Sequence, residues 1–380
     1  MPAVQAQVEC PVFQSFRVEQ VSGMFDVPIE SRAKERFTAN VPSPDEPWQI
    51  GLIVGPSGSG KSTIARRAFG ASVYERATWP RDRAVIDGFG NAPTKQITRL
   101  LTAVGFSSPP SWIKPYHVLS GGERFRCDLA RALSLGSGNA VRAAADETKA
   151  SDSESPAAAA PLVVFDEFTG VVDRTVAKIG SAAVAGAIRR GHVRCRFVAV
   201  TCHDDVLRWL APDWVVDMAT GELSWRCLRR PKIELDIHRC RPGIWPMFAR
   251  HHYLSGQLCR PARCYLALWQ QRPVAFAATV PLIGRRGHRR ITRLVTLPDF
   301  QGVGIGTRLA EAVAQIHRDE GHRLNITASH PALIAHCQRS ASWRVVQVRK
   351  SGSRGNRLGT SHYCGSPRRA VVSFEYVGRA

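Results

Sequence analysis

The chain contains no run of 18 or more apolar residues, which excludes an ordinary transmembrane helix. Its first twenty residues, MPAVQAQVECPVFQSFRVEQ, lack the basic start and apolar core of a secretory signal, so a cytoplasmic protein is expected. None of the ten cysteines forms a C-x-x-C pair. Cys259 and Cys264 stand nearest, four residues apart in the gap, and no second pair completes a tetrahedral zinc set. Reduced thiols suit such spacing. Internal repeats are absent as well. Acidic residues run short in one half only. Residues 1–220 hold 25 Lys and Arg against 23 Asp and Glu, whereas residues 221–380 hold 27 against 8. The net charge of +21 therefore lies almost wholly in the second half, and arginine carries it. A general arginine bias would have raised both halves alike. Guanidinium groups favour bidentate contact with phosphate and stacking on bases, so nucleic acid is the expected partner.

What is present points to two α/β domains in 380 residues, of which 44% are apolar. Residues 12–54 read as strand segments, FRVEQV and QIGLIV, separated by turn-forming stretches. RAVIDG reads as a short strand and TKQITRLLTAVGF as an amphipathic helix. PLVVF and RFVAV are continuous apolar runs of the kind found in buried parallel strands. Between Ser134 and Pro161 the composition collapses into Ala, Ser, Gly, Asp and Glu, and a mobile insertion is expected there. After about residue 230 the order is strand, helix, hairpin turning near Gln271, strand, glycine loop, helix, strand, helix, strand, strand. The boundaries expected are 12–228 for the first domain and 232–378 for the second.

The first domain carries GPSGSGKST, which fits G-x-x-x-x-G-K-[ST] between an apolar strand and a helix. Gly55, Pro56, Ser57, Gly58, Ser59, Gly60, Lys61, Ser62 and Thr63 form this cradle. Its amides wrap a β-phosphate, Lys61 reaches the β- and γ-phosphates, and Ser62 offers its hydroxyl to Mg²⁺. VLSGGERFRCDLARAL follows, with Ser120, Gly121 and Gly122 opening a helix whose apolar face runs Phe125, Leu129, Leu133. LVVFDEFTGVVD then ends an apolar strand in Asp166 and Glu167, with Asp173 beyond. Together these segments resemble the nucleotide site of ABC ATPases. The resemblance implies that Asp166 holds the Mg²⁺ shell, Glu167 polarises the attacking water and His203 senses the γ-phosphate. It implies a homodimer too, since the signature of one subunit completes the ATP site of another. The family's glutamine has no counterpart in place, since Asp87 ends the strand RAVID and Gln96 lies within the next helix, while its base-stacking aromatic is Phe25 or Trp48, with an ordinary core role the alternative.

RLVTLPDFQGVGIGTRLAEAV, in the second domain, resembles the acyl-CoA segment of GNAT acyltransferases, with Gln301, Gly304 and Gly306 filling [Q/R]-x-x-G-x-[G/A]. That resemblance implies acetyl-CoA or another acyl-CoA as the donor. Amides of Gln301, Gly302, Val303, Gly304, Ile305 and Gly306 would hold its pyrophosphate at the helix N-terminus, and the strand edge at Val295 and Leu297 its pantetheine arm. The loop lacks a Gly-Lys-Ser/Thr ending, so it is not a second nucleotide cradle. The tyrosine of many such enzymes is missing from PALIAHCQRSASWR, where Ser329, His336 and Cys337 are the polar candidates. In RHHYLSG, His251, His252 and Tyr253 end the first helix of the domain, and His252 and Tyr253 are the candidate acid–base pair. This segment and LPDFQG look similar to the phage Mom-like branch of the superfamily, which modifies adenine in DNA. An ABC-type ATPase joined to an acyltransferase acting on nucleic acid is thus expected. The basic loop Ser351–Arg369 and GRRGHRR (Gly284–Arg290) would grip the backbone. Acetylation of a small molecule or a protein, and a binding module without transfer activity, are the alternatives.

Overall fold

The computed structural model describes residues 3–29, 32–75, 78–136, 160–225, 231–252, 257–351 and 369–378. Most of the expected insertion, Tyr253 and residues 352–368 of the expected basic loop lie outside the described residues. The chain forms two compact units. The first comprises Met1–Arg76, Leu135–Val171 and Arg194–Arg229, and the second Ala77–Ser134, Val172–Val193 and Arg230–Ala380. The helical segments around the signature motif therefore group with the C-terminal residues.

In the first unit β1 (Ala3–Pro11) pairs antiparallel with β2 (Arg32–Asn40). Between them lies α1 (Phe16–Phe25), where FRVEQV was expected to be a strand. Ser15 decides the matter: its side chain accepts from Val18 N–H, capping a helix that buries none of its residues. The main sheet runs β4-β5-β3-β6-β7. Its members are β3 (Ile50–Val54), β4 (Leu162–Phe165), β5 (Arg196–Thr201), β6 (Trp214–Asp217) and β7 (Glu222–Trp225). The first four are parallel, and β7 returns antiparallel on β6. All five residues of β3 are buried, as a central parallel strand requires. Trp48 packs edge-on against Trp214 in this core, so it is not free to stack on a base. Phe25 is exposed on α1.

The second unit opens with the helices α3 (Thr94–Ala103), α4 (Gly121–Gly136) and α5 (Arg174–Arg189), following α2 (Lys61–Phe69) of the first. RAVIDG is not a strand. Val85–Phe89 form a 3₁₀ turn, and Ala84 makes only an isolated bridge to Pro115. Phe125, Leu129 and Leu133 are buried along α4, as their spacing predicts. A seven-stranded sheet follows in the order β13-β14-β12-β11-β10-β9-β8. Its strands are β8 (Asp236–Cys240), β9 (Arg263–Trp269), β10 (Arg272–Pro281), β11 (His288–Thr296), β12 (Arg323–Ala328), β13 (Trp343–Ser351) and β14 (Arg369–Tyr376). Its helices are α6 (Trp245–Ala249), α7 (Ile305–Asp319) and α8 (Pro331–Arg339). The β9–β10 hairpin turns at Gln270 and Gln271, both with positive φ, as a two-residue primed turn demands. Pairing between β11 and β12 is parallel and confined to His288–Ile291 against Arg323–Ile326. Beyond Ile291 the two strands part.

Candidate functional sites

Three adjacent parallel strands of the first unit deliver one constellation at their C-terminal ends. β3 leads into the glycine loop, β4 into Asp166 and Glu167, and β5 toward His203. Such strand ends are where α/β sheets bind ligands. The loop backbone needs its glycines: Gly58 and Gly60 have φ of 81° and 79°, and a Cβ on Gly60 would come within 2.3 Å of the Phe37 ring. Ser62 Oγ donates to Asp166 Oδ1 at 3.0 Å, bringing a hydroxyl and a carboxylate to one spot at the start of α2. Hard oxygen donors in that arrangement fit Mg²⁺. Arg66 stands 3.8 Å from the other Asp166 oxygen. Lys61 Nζ donates to Pro56 O at 2.6 Å, folded back over its own loop. Ser59 Oγ is buried and unpartnered in the cradle. Glu167 is exposed and left-handed at φ 53°, its N–H held by Asp166 Oδ1 at 2.9 Å. His203 is half-buried, its N–H donating to Thr201 Oγ1. These residues fit a nucleotide with its metal.

Ser120 lies in the second unit, at the start of α4. Glu123 accepts from both its N–H and its hydroxyl at 3.0 Å, and Ser120 Oγ accepts from Glu123 N–H, a capping box. Gly121 is exposed, and Gly122 packs near Val176. One turn further on, Arg126 is buried, and its Nε and Nη2 have no hydrogen-bond partner among the described residues. Burial pulls its guanidinium below the ordinary arginine range, with the carboxylates of Asp299 and Glu123 opposing.

The second cradle begins where β11 meets Pro298–Phe300 and ends at α7. Gly304 caps α7 with φ 87°, and a Cβ on Gly306 would lie 2.7 Å from Thr296 Oγ1. The first turn of the helix leaves N–H groups without intrahelical acceptors beside exposed Gly304. Ile305 is buried, while Val303 and Gly306 are half-buried.

Three expected ligand positions, Gln301, Val295 and Leu297, direct their backbone N–H groups into the fold itself. Gln301 faces inward: its N–H donates to Pro298 O, its Nε2 to Thr296 O at 3.0 Å, and its Oε1 accepts from Ser107 N–H at 2.7 Å. Gly302 is half-buried with its Cα side against Gly105 and Ala183, leaving no room for a Cβ. On the strand, Leu297 N–H donates to Val274 O across the sheet, and Val295 is buried among Trp245, Phe248 and Phe276. Strand backbone alternates direction, so the groups directed toward the edge that opens beyond Ile291 belong to Leu294 and Thr296 rather than to Val295 and Leu297.

Of the candidate acid–base pair, His252 lies within the described residues, and its neighbour His251 feels the charge of Asp299 in the turn before this loop. α6 ends at Ala249, so His251 and His252 follow it instead of closing it. His252 is half-buried, its ring 5.9 Å from Trp245. Arg250 Nε donates to His251 Nε2 at 3.1 Å. Burial and then Arg250 pull His251 below the ordinary histidine value, while Glu123 and Asp299 pull the other way. His251, Asp299 of the LPDF turn and Glu123 of the signature helix are thus electrostatic neighbours, which no spacing in the sequence announces. Cys337 is buried in the core, and burial pushes its thiol up to about 12. His336 Nε2 lies 2.9 Å from Glu311 Oε1.

Solved structures with similar elements include the IAA acetyltransferase from Bacillus cereus, at 15% identity over 38% of this chain and 99% of its own, with a TM-score of 0.29. A GNAT family acetyltransferase from Elizabethkingia anophelis with acetyl-CoA bound is 18% identical over 38% of this chain and 99% of its own, with a TM-score of 0.30. A dimeric bacterial ABC transporter cassette is 14% identical over 50% of this chain and 88% of its own, with a TM-score of 0.34. No curated protein matches the chain. Residues 231–338 match the model of the acetyltransferase (GNAT) family. The C-terminal part of the chain therefore contains a GNAT-family acetyltransferase domain.

Proposed function

We propose that this chain joins an ABC-type ATPase, residues 12–228, to an acyl-CoA-dependent N-acyltransferase, residues 232–378, that acts on an amino group of a nucleic acid. The observation that carries the transferase reading is the glycine-opened N-terminus of α7 beside the open edge of β11, inside the GNAT-family match. Coenzyme A supplies the acyl thioester. Amides of Gly304, Ile305 and Gly306 hold the pyrophosphate, and backbone groups of Leu294 together with the N–H of Thr296 align the extended arm. His252 accepts the proton of the acceptor amine as the amine nitrogen attacks the thioester carbonyl, an office suited to an imidazole near neutral pH. The carbon–sulfur bond breaks, and the departing coenzyme A thiolate takes up that proton. In the first unit, Ser62 and Asp166 hold the metal, Lys61 the phosphates and Glu167 the water, and His203 reports the γ-phosphate. Hydrolysis supplies the free energy for positioning a polyanionic acceptor, for which the arginine excess of residues 221–380 is the support.

Calorimetric titration with acetyl-CoA tests the cradle. Gly306→Val should weaken binding by tenfold or more (about 1.4 kcal/mol) while ATP binding persists, and unchanged affinity overturns the assignment. Mass analysis of nucleosides from cells with and without the protein tests the acceptor, with an acylated nucleoside as the expected product. A binding module without transfer activity is the second reading, favoured by the buried Cys337 in the helix where many relatives carry a tyrosine. Release of free coenzyme A thiol in the presence of nucleic acid separates the two.

A further inference from the structure

The seven-stranded sheet is covered unequally. On one face Ile291, Leu324, Ile326 and Phe374 pack against Ala310 and Ala314 of α7 and Cys337 of α8. Register partners share a face, and side chains alternate along each strand. His288 pairs with Arg323, Arg290 with Asn325, Asn325 with Glu375, and Glu375 with Arg344, so these side chains all stand on the opposite face. There Arg285, His288, Arg323, Asn325, Arg344 and Glu375, with the exposed Val345 and Val346, surround a cavity of about 270 Å³.

The charges around this cavity are organised rather than scattered. Glu375 is buried and accepts from Arg323 Nε with one oxygen and from Arg344 Nη2, at 2.8 Å, with the other. The two arginine side chains are themselves 57% and 63% exposed, so one buried carboxylate holds two arginine forks whose remaining N–H groups are left for another acceptor. Those two arginines hold Glu375 well below the usual carboxylate range, which keeps the clamp charged. Arg285 and exposed Arg290 add positive charge from the preceding turn and from β11. His288 Nδ1 donates to Arg286 O at 2.9 Å, which leaves its Nε2 available as an acceptor or, when protonated, as a further donor.

We infer that this face is the seat of the sugar–phosphate backbone of a double-stranded nucleic acid, an inference that rests on the nucleic-acid reading above and names where that acceptor is held. Paired guanidiniums match phosphate oxygens in a bidentate way. Single-strand platforms instead stack bases on aromatic rings, and among the described residues named on this face the one ring is His288. The contacts are to backbone, so binding is independent of sequence and falls steeply with salt.

The test measures anisotropy of labelled random-sequence DNA and RNA duplexes, and of a single strand, with the full-length protein across a salt series. Arg285→Glu/Arg290→Glu leaves the Glu375 clamp intact. It should weaken duplex binding by tenfold or more and flatten the salt slope by about 2, as loss of two phosphate contacts requires. Arg81→Glu/Arg99→Glu makes the same change in net charge in the helical segment and should alter neither quantity. Arg323→Ser/Arg344→Ser/Glu375→Gln, which removes the clamp without stranding a carboxylate, should weaken binding as well. Equal effects of the face and control variants overturn this site while leaving the nucleic-acid reading intact. Binding to the single strand alone also overturns it and leaves that reading. Binding to neither duplex nor single strand overturns both. The DNA and RNA arms identify which backbone is held.

Discussion

Lys61 donates to Pro56 O within its own loop, a bond that phosphate oxygens would replace. Hydrogen bonds to charged groups contribute about 1.5–3 kcal/mol, so Lys61→Ala should weaken ATP binding by roughly 10- to 100-fold in a titration with fluorescent nucleotide. His317 carries a different prediction, on stability. Its side chain is buried on α7, with Nε2 3.0 Å from both Tyr265 Oη and Thr279 Oγ1 and Nδ1 3.3 Å from Glu320. A hydroxyl donating to Nε2 requires the neutral ring with its proton on Nδ1. Burial, followed by Arg289, lowers its pKa from 6.5 to about 4. The folded state therefore binds the proton more weakly than the unfolded chain. The resulting stability is complete above pH 6.5 and is lost as pH falls toward 4. Between pH 7 and pH 5 this amounts to about 2 kcal/mol. His317→Gln should be less stable at pH 7 yet lose less on acidification, and denaturant midpoints at the two pH values would show it. A variant with the wild-type pH dependence would refute the assignment.

Among elements, the contact between the helical segments and the second cradle dominates. Gly105 follows α3 with φ 85°, and a Cβ there would lie 2.8 Å from Gln301 O. Gly105→Ala should destabilise the protein by roughly 1–3 kcal/mol in a denaturant titration and lower acetyl-CoA affinity, because Ser107 and Gln301 would move together. Normal affinity in a destabilised variant would show that the loop keeps its shape without this contact. From sequence, Gly105 falls within the amphipathic stretch TKQITRLLTAVGF and carries no signal of its own, whereas the helix ends at Ala103. The role of Gly105 depends on Gln301, 196 residues away in the chain, and no local pattern encodes that meeting. Local patterns served well elsewhere. The strand–helix order after residue 230, the parallel runs PLVVF and RFVAV and the buried stripe of α4 were all legible, because each period of 2 or 3.6 reports one buried face. FRVEQV misled because Phe16, Val18 and Val21 bury nothing on α1, so the alternation of Phe16 and Val18 carried no burial signal and the Ser15 cap decided the outcome. The parity of β11 was hidden for another reason. Which of two alternating sets of backbone groups faces the open edge is set by the pairing of Leu297 with Val274, and that pairing is a tertiary fact.

For the whole molecule, the copy number of the motifs sets the question. The chain has one glycine cradle ending in Lys61 and Ser62 and one signature start at Ser120. In the ABC-type arrangement that these motifs resemble, the signature of one subunit closes the nucleotide site of another, and under the proposed function one chain would contribute half of each of two composite sites. Ser120 is exposed, and its capping box with Glu123 presents the N-terminus of α4 with its hydroxyl engaged by a carboxylate. A phosphate arriving there from a second copy would meet the positive end of a 16-residue helix. Glu167→Gln removes the carboxylate assigned to the attacking water while leaving Asp166 and Ser62 in place, so ATP should bind and persist. Mass measurement by light scattering should then find a dimer with ATP and Mg²⁺ and a monomer without them. Adding Ser120→Arg to that variant should return the monomer by placing a bulky cation at the helix start, with ATP binding weakened but not abolished. A monomer in the presence of ATP for Glu167→Gln alone would refute the composite site. A dimer that survives Ser120→Arg would move the contact to some other surface of the chain.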